Sequence, residues 1–97
     1  MIPNFKVSPR VLEKLRDVHN VTPDEVIEAF HNRTGKFFTD SREDNRTDPP
    51  TYWFVSETDM GRTLKVVFVR YPDFFAIKTA YEPKDGSDRL YNQLCSR

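Results

Sequence analysis

Between Arg62 and Arg70 the chain carries Arg62, Lys65 and Arg70 with no acid among them, and Lys78 follows in the next apolar run. Cations gathered this way bind phosphate, and a carboxylate beside them, here Glu57, can act as a base if strand pairing sets it on the same face. Trp53, in the run before, offers a ring for stacking. Whether these groups meet depends on the sheet that carries them.

Three stretches, Tyr52 to Thr58, Arg62 to Tyr71 and Phe75 to Tyr81, hold the aromatic and branched residues that favour pleated sheet. A three-residue loop at Asp59-Met60-Gly61, with Gly61 left-handed, pairs Thr58 with Arg62 and so sets Trp53 opposite Val67 and Val55 opposite Lys65. A turn at Pro72-Asp73 pairs Tyr71 with Phe74, Val67 with Lys78 and Lys65 with Ala80. One face then collects Tyr52, Phe54, Leu64, Val66, Phe68, Phe75, Ile77 and Tyr81, which helices should cover. The other collects Trp53, Val55, Glu57, Thr63, Lys65, Val67, Val69, Ala76, Lys78 and Ala80, a mixed surface with the make-up of a binding face. An antiparallel sheet whose second face is merely solvated shows the same pattern.

The flanking segments read as helices. Ser8-Pro9 opens the first, with Val7 and Leu12 at staple spacing and Val11, Leu12, Leu15 and Val18 as an apolar stripe. Thr22 and Glu25 form a capping box for the second, Pro23 takes its first position, and Val26, Ile27, Ala29 and Phe30 form its buried face. Gly35 should stop it, leaving Asn20-Val21 as the tight link of a helical hairpin. Lys36 to Asp40 reads as a short strand and Ser41 to Pro50 as an exposed loop. Ser87 should cap a last helix carrying Leu90, Tyr91 and Leu94. The expected fold is α+β: one domain over residues 1–97, an N-terminal helical hairpin on a three- to four-stranded antiparallel sheet, and a C-terminal helix.

Composition narrows the classes. A chain of 97 residues with 37% hydrophobic side chains suits one core, and thirteen aromatic residues supply large buried surfaces. Fifteen basic and fifteen acidic side chains leave no net charge, which argues against a general attraction to nucleic acid or anionic lipid and leaves only a local basic patch. Cys95 is the only cysteine, which excludes an intrachain disulfide and points to a reducing compartment. No run reaches signal-peptide or membrane-spanning length, so a cytoplasmic location and no membrane partner are expected. His19 and His31 form no zinc spacing, and Asp40, Glu43, Asp44 and Asp48 are interspersed with arginines, as in a solvated loop. Neither a metal nor a cofactor is expected.

His19-Asn20-Val21, Asp24-Glu25-Val26 with Phe30, Asp40-Ser-Arg42, Gly61-Arg62-Thr-Leu64 with Val66-Val67, Ile77-Lys-Thr-Ala80 and Arg89-Leu-Tyr91 stand in an order that resembles the BrnT toxins. These are small ribonucleases of bacterial type II toxin–antitoxin systems, with a fold related to the RelE toxins. The chain departs from the family where Tyr81-Glu82-Pro83 follows the alanine of the last strand, a place the family usually gives to arginine, and in being less basic. Small chains with the Ser8-Pro-Arg-Val-Leu-Glu-Lys start also look similar to bacterial proteins labelled ADP-ribosyl-(dinitrogen reductase) hydrolase. Enzymes with that activity resemble large helical proteins with clustered metal-binding aspartates, a site that four strands in 97 residues cannot build.

The BrnT resemblance implies a cytoplasmic, metal-independent endoribonuclease whose partners are RNA and a cognate antitoxin. In that chemistry Arg62, Lys65 and Lys78 stabilise the phosphorane, Glu57 takes the proton of the 2′-hydroxyl, and Arg42, Trp53 and Arg70 hold the RNA. His19 matches the family motif, and its place at the end of the first helix suits a structural role on the helix dipole. The reading from a different class is a non-catalytic protein-interaction module that binds a partner through Trp53, Val55, Val67 and Val69.

Overall fold

The computed structural model, which describes residues 4–39, 50–84 and 86–96, begins with a strand where none is expected. β1 (Asn4–Lys6) pairs in parallel with β5 (Phe74–Tyr81), setting Phe5 beside Phe75. The chain between them runs through α1 (Pro9–Asp17), α2 (Pro23–Asn32), β2 (Phe38–Thr39), β3 (Thr51–Glu57) and β4 (Thr63–Arg70), and α3 (Ser87–Cys95) follows β5. The fold is α+β, and its sheet has five strands in the order β1-β5-β4-β3-β2. A purely antiparallel sheet of three or four strands is thereby corrected to a mixed one. Three residues are too few to show an alternating pattern, which is why β1 escapes a reading by periodicity.

The helical hairpin forms for the reasons its sequence gives. Ser8 Oγ accepts from the Val11 amide at 3.2 Å, with Pro9 opening α1. Thr22 and Glu25 complete a reciprocal capping box, Glu25 N–H to Thr22 Oγ1 at 3.2 Å and Thr22 N–H to Glu25 Oε1 at 3.1 Å. The link between them turns through Asn20 in the left-handed region, φ 53°, a place asparagine tolerates better than most residues. Only Leu15 of the expected α1 stripe is fully buried; Leu12 is 40% and Val18 68% exposed, so the covering face is narrower than the sequence implies.

Phe30 of α2 is the centre of the first core layer. Its ring lies 4.6 Å from Phe5 and from Phe54, 5.2 Å from Phe68 and 5.6 Å from Phe75, in tilted or edge-on geometries that aromatic pairs prefer. With Leu64 and Val66, the Phe54, Phe68 and Phe75 of this layer make the helix-facing side of the sheet expected from the strand pattern.

The β3–β4 register is the expected one. Thr58 N–H donates to the Arg62 carbonyl, Gly61 has φ 83°, Trp53 pairs with Val67, and Val55 pairs with Lys65. The β4–β5 pairing starts as expected, with the Tyr71 amide on the Phe74 carbonyl, then slips by one residue between Val67 and Phe68. Lys78 is the extra residue of this bulge, so Val67 pairs with Thr79 and Lys65 with Tyr81. Ala80 is thereby turned into the helix-covered core, where it is fully buried, and Tyr81 goes to the Lys65 side.

The second face is not open. α3 packs on it through Tyr91, whose ring lies 5.6 Å from Trp53 and 5.5 Å from Phe38. Trp53, Lys65 and Val67 are all buried. Gly35 does not stop α2, which ends at Asn32 with Arg33 as its cap. It instead lets α3 approach: a Cβ there would sit 2.5 Å from Tyr91 Oη and 2.7 Å from Cys95 Sγ. Ser87 does not cap α3 either; Gly86, at φ 86°, takes that position, and Ser87 accepts from Lys65. Among the described residues, no helix is long and apolar enough to cross a membrane. The expected loop at Ser41 to Pro50 lies, apart from Pro50, outside the described residues.

Candidate functional site

Arg62 leaves the Gly61 turn just ahead of β4, and its guanidinium reaches three other segments at once. Nε donates to Glu82 at 2.6 Å, Nη1 to the Asn20 carbonyl at 2.7 Å and to both Glu25 oxygens at 3.1 Å, and Nη2 to the His19 carbonyl at 3.1 Å. One side chain therefore ties the α1–α2 link, the capping box of α2 and the end of β5 to the start of β4. The planar fork of arginine suits this; a lysine could not donate in so many fixed directions. Burial works against the Arg62 charge, but the hydrogen bonds to Glu82 and Glu25 outweigh it and raise its pKa. Burial likewise works against the Glu25 carboxylate, and the Thr22 amide and Arg62 outweigh it and hold its pKa below the ordinary glutamate value.

Above this clamp lies a groove of about 640 Å³ lined by Val18, His19, Asn20, Arg62, Tyr81, Glu82 and Lys84. The His19 and Tyr81 rings stand 5.5 Å apart at a tilt of 34°, both half-buried. Burial first, and the charge of Lys14 second, lower the His19 pKa, so the imidazole favours its neutral form. A neutral imidazole can accept a proton or contact an aromatic base, and exposed Lys84 supplies a cation at the rim.

The residues expected to form one catalytic set are dispersed. Glu57, Arg62 and Lys78 line three separate grooves, and Lys65 lines none of the three. Lys65 is 7% exposed, donates to Ser87 Oγ at 3.1 Å and lies 4.9 Å from the centre of the Trp53 ring, so it fastens α3. Trp53, 8% exposed beneath α3, presents no ring to a base. Glu57 is exposed, pairs across the hairpin with Thr63, and its carbonyl accepts from Asn32 at 3.0 Å. Lys78 is exposed at the bulge, and Arg70 is exposed at the end of β4, 5.9 Å from the Phe75 ring centre. Arg42 lies outside the described residues. The expected open cationic face is thus not formed, because α3 covers its Trp53–Lys65 part and a one-residue bulge reassigns the side chains of β5.

The groove residues that strand reasoning misses are Tyr81 and Lys84, with His19 given only a helix-end role. His19, Glu25 and Arg62 stand far apart in the chain and come together only in the fold. That spatial convergence of distant segments is the signal a single sequence conceals. Among the described residues, no three His, Cys, Asp or Glu side chains gather in a way that could hold a metal. No protein-family model and no curated protein matches this chain.

Proposed function

We propose that the chain is a BrnT-like toxin of a type II toxin–antitoxin system, a metal-independent endoribonuclease acting on RNA and restrained by a cognate antitoxin. One observation carries the reading: three separated segments of the resemblance, at His19-Asn20, Glu25 and Gly61-Arg62, meet in a single hydrogen-bond network at the edge of a groove. A resemblance built from short pieces gains weight when the pieces have one physical purpose. The α+β architecture, with a helical hairpin on a sheet, is the one the resemblance implies. In the reaction, the ribose 2′-oxygen attacks phosphorus and the bond to the 5′-oxygen breaks, giving a 2′,3′-cyclic phosphate. The 2′-hydroxyl proton needs a base, the phosphorane needs cations, and the 5′-oxygen gains a proton from an acid or from water. His19 and Lys84 are the groove's groups suited to the first two tasks, with Arg62 holding the groove's shape.

The competing reading, a non-catalytic protein-interaction module, draws on the dispersal of Glu57, Arg62, Lys65 and Lys78. Incubation of the purified chain with free RNA in EDTA, and separately with ribosomes engaged on messenger RNA in magnesium buffer, separates the two. Fragments bearing cyclic phosphate ends in either incubation are expected; intact RNA in both would overturn the enzyme reading and leave the module.

A further inference from the structure

We propose that the groove between the α1–α2 link and the end of β5 is a nucleotide subsite for single-stranded RNA, with a base stacked on the His19–Tyr81 pair and a phosphate at Lys84. The inference rests on the RNA-directed reading for its choice of ligand, and it locates binding where neither strand pattern nor charge count does.

The two rings already lie against each other, 5.5 Å apart at 34°, and each is only half-buried, so each keeps surface on which another flat ring can pack. Aromatic platforms of this kind take any base, because every base has a π-face. The groove's volume, about 640 Å³, falls within the range of roughly 300–1,000 Å³ typical of small-ligand sites. Its floor is fixed: the carbonyls of His19 and Asn20 are both held by Arg62. Binding would therefore order little that is not ordered already.

Charge distinguishes the rim from the floor. Arg62 is matched by Glu25 and Glu82 and has little field to offer a phosphate. Lys84 is exposed at the mouth, and Lys14 lies near enough to His19 to disfavour its protonation. Glu82 carries the opposite sign at the same rim, its side chain half exposed and tied to Arg62. The site is accordingly built for stacking first and for one phosphate second, which favours a single-stranded segment over a duplex.

The test is an NMR titration with a short 2′-O-methyl RNA oligomer, which binds without being cut. The chain has two histidines, so the ring of exposed His31 on α2 is an internal control for His19. The His19 and Tyr81 ring signals should shift saturably while His31 stays, and inorganic phosphate alone should not reproduce the shifts. Tyr81→Leu should weaken binding roughly tenfold, equivalent to about 1.4 kcal/mol of lost stacking. Lys84→Ala should flatten its salt dependence. His19→Ala gives a second variant that leaves the clamp intact, because Arg62 holds the His19 carbonyl rather than its ring. Still rings at millimolar oligomer, or equal shifts with phosphate alone, would overturn the subsite even if the chain cuts RNA. Shifted rings without cleavage would leave the subsite standing and remove the nuclease.

Discussion

Arg62 and Glu25, thirty-seven positions apart, meet through one guanidinium nitrogen that donates to both carboxylate oxygens at 3.1 Å. The same carboxylate caps α2 through the Thr22 amide. A helix start and a hairpin turn are thus stabilised by one shared group, and disturbing either should be felt at the other.

Arg62→Ala should therefore act on the fold before it acts on any chemistry. Removing the fork leaves Glu25, Glu82 and two carbonyls short of a donor, an expected loss of about 2–4 kcal/mol. Arg62→Lys should recover only part of it, since an ammonium keeps the charge without the fork. Urea denaturation of the three proteins measures this; an Arg62→Ala midpoint equal to wild type would show that the clamp carries no stability.

Acid should weaken the protein in two stages. His19 has a lowered pKa in the folded state, so its contribution is present above the unfolded value of 6.5 and is lost as pH falls through the lowered one. Glu25 is also lowered, so its contribution is present above the ordinary 4.5 and disappears as pH falls through its depressed value. Denaturation midpoints measured from pH 8 to pH 3 should show both declines. His19→Ala should remove the first and Glu25→Gln the second.

Gly35→Ala should cost about 1–3 kcal/mol, because the new methyl would press on Tyr91 Oη and Cys95 Sγ. Tyr91→Phe deletes that oxygen, at the expense of its 2.7 Å hydrogen bond to the Lys36 carbonyl. The double variant should thus be less destabilised than the sum of the singles by roughly 1 kcal/mol, measured as a thermodynamic cycle.

Trp53 is the only tryptophan, so intrinsic fluorescence reports the α3-covered face directly. Its emission should be blue-shifted and poorly quenched by acrylamide in the folded protein, and RNA should leave it unchanged. Strong quenching in native buffer would place the ring in solvent instead of under Tyr91.

Much of this fold is legible in the chain. Ser8-Pro9, the Thr22–Glu25 box and the Gly61 turn each encode local geometry in the residues themselves, and the β3–β4 register follows from the turn. The bulge at Lys78 is not legible, since its neighbours alternate as an unbroken strand would. Nor is the side that α3 covers: Tyr91 and Leu94 mark an apolar stripe without saying which sheet face receives it. The candidate site suffers most, because the partners that claim Arg62 come from residues 19, 20, 25 and 82, and only the closed fold shows their convergence.

The most direct measurement of the central claim is growth and total-RNA integrity in a bacterium after tightly induced expression of the chain, beside a His19→Ala/Tyr81→Leu variant confirmed to be equally soluble and abundant. The account predicts growth arrest with fragmented RNA for the wild-type chain and relief of both by the double variant. Normal growth and intact RNA with abundant, soluble wild-type protein would contradict it.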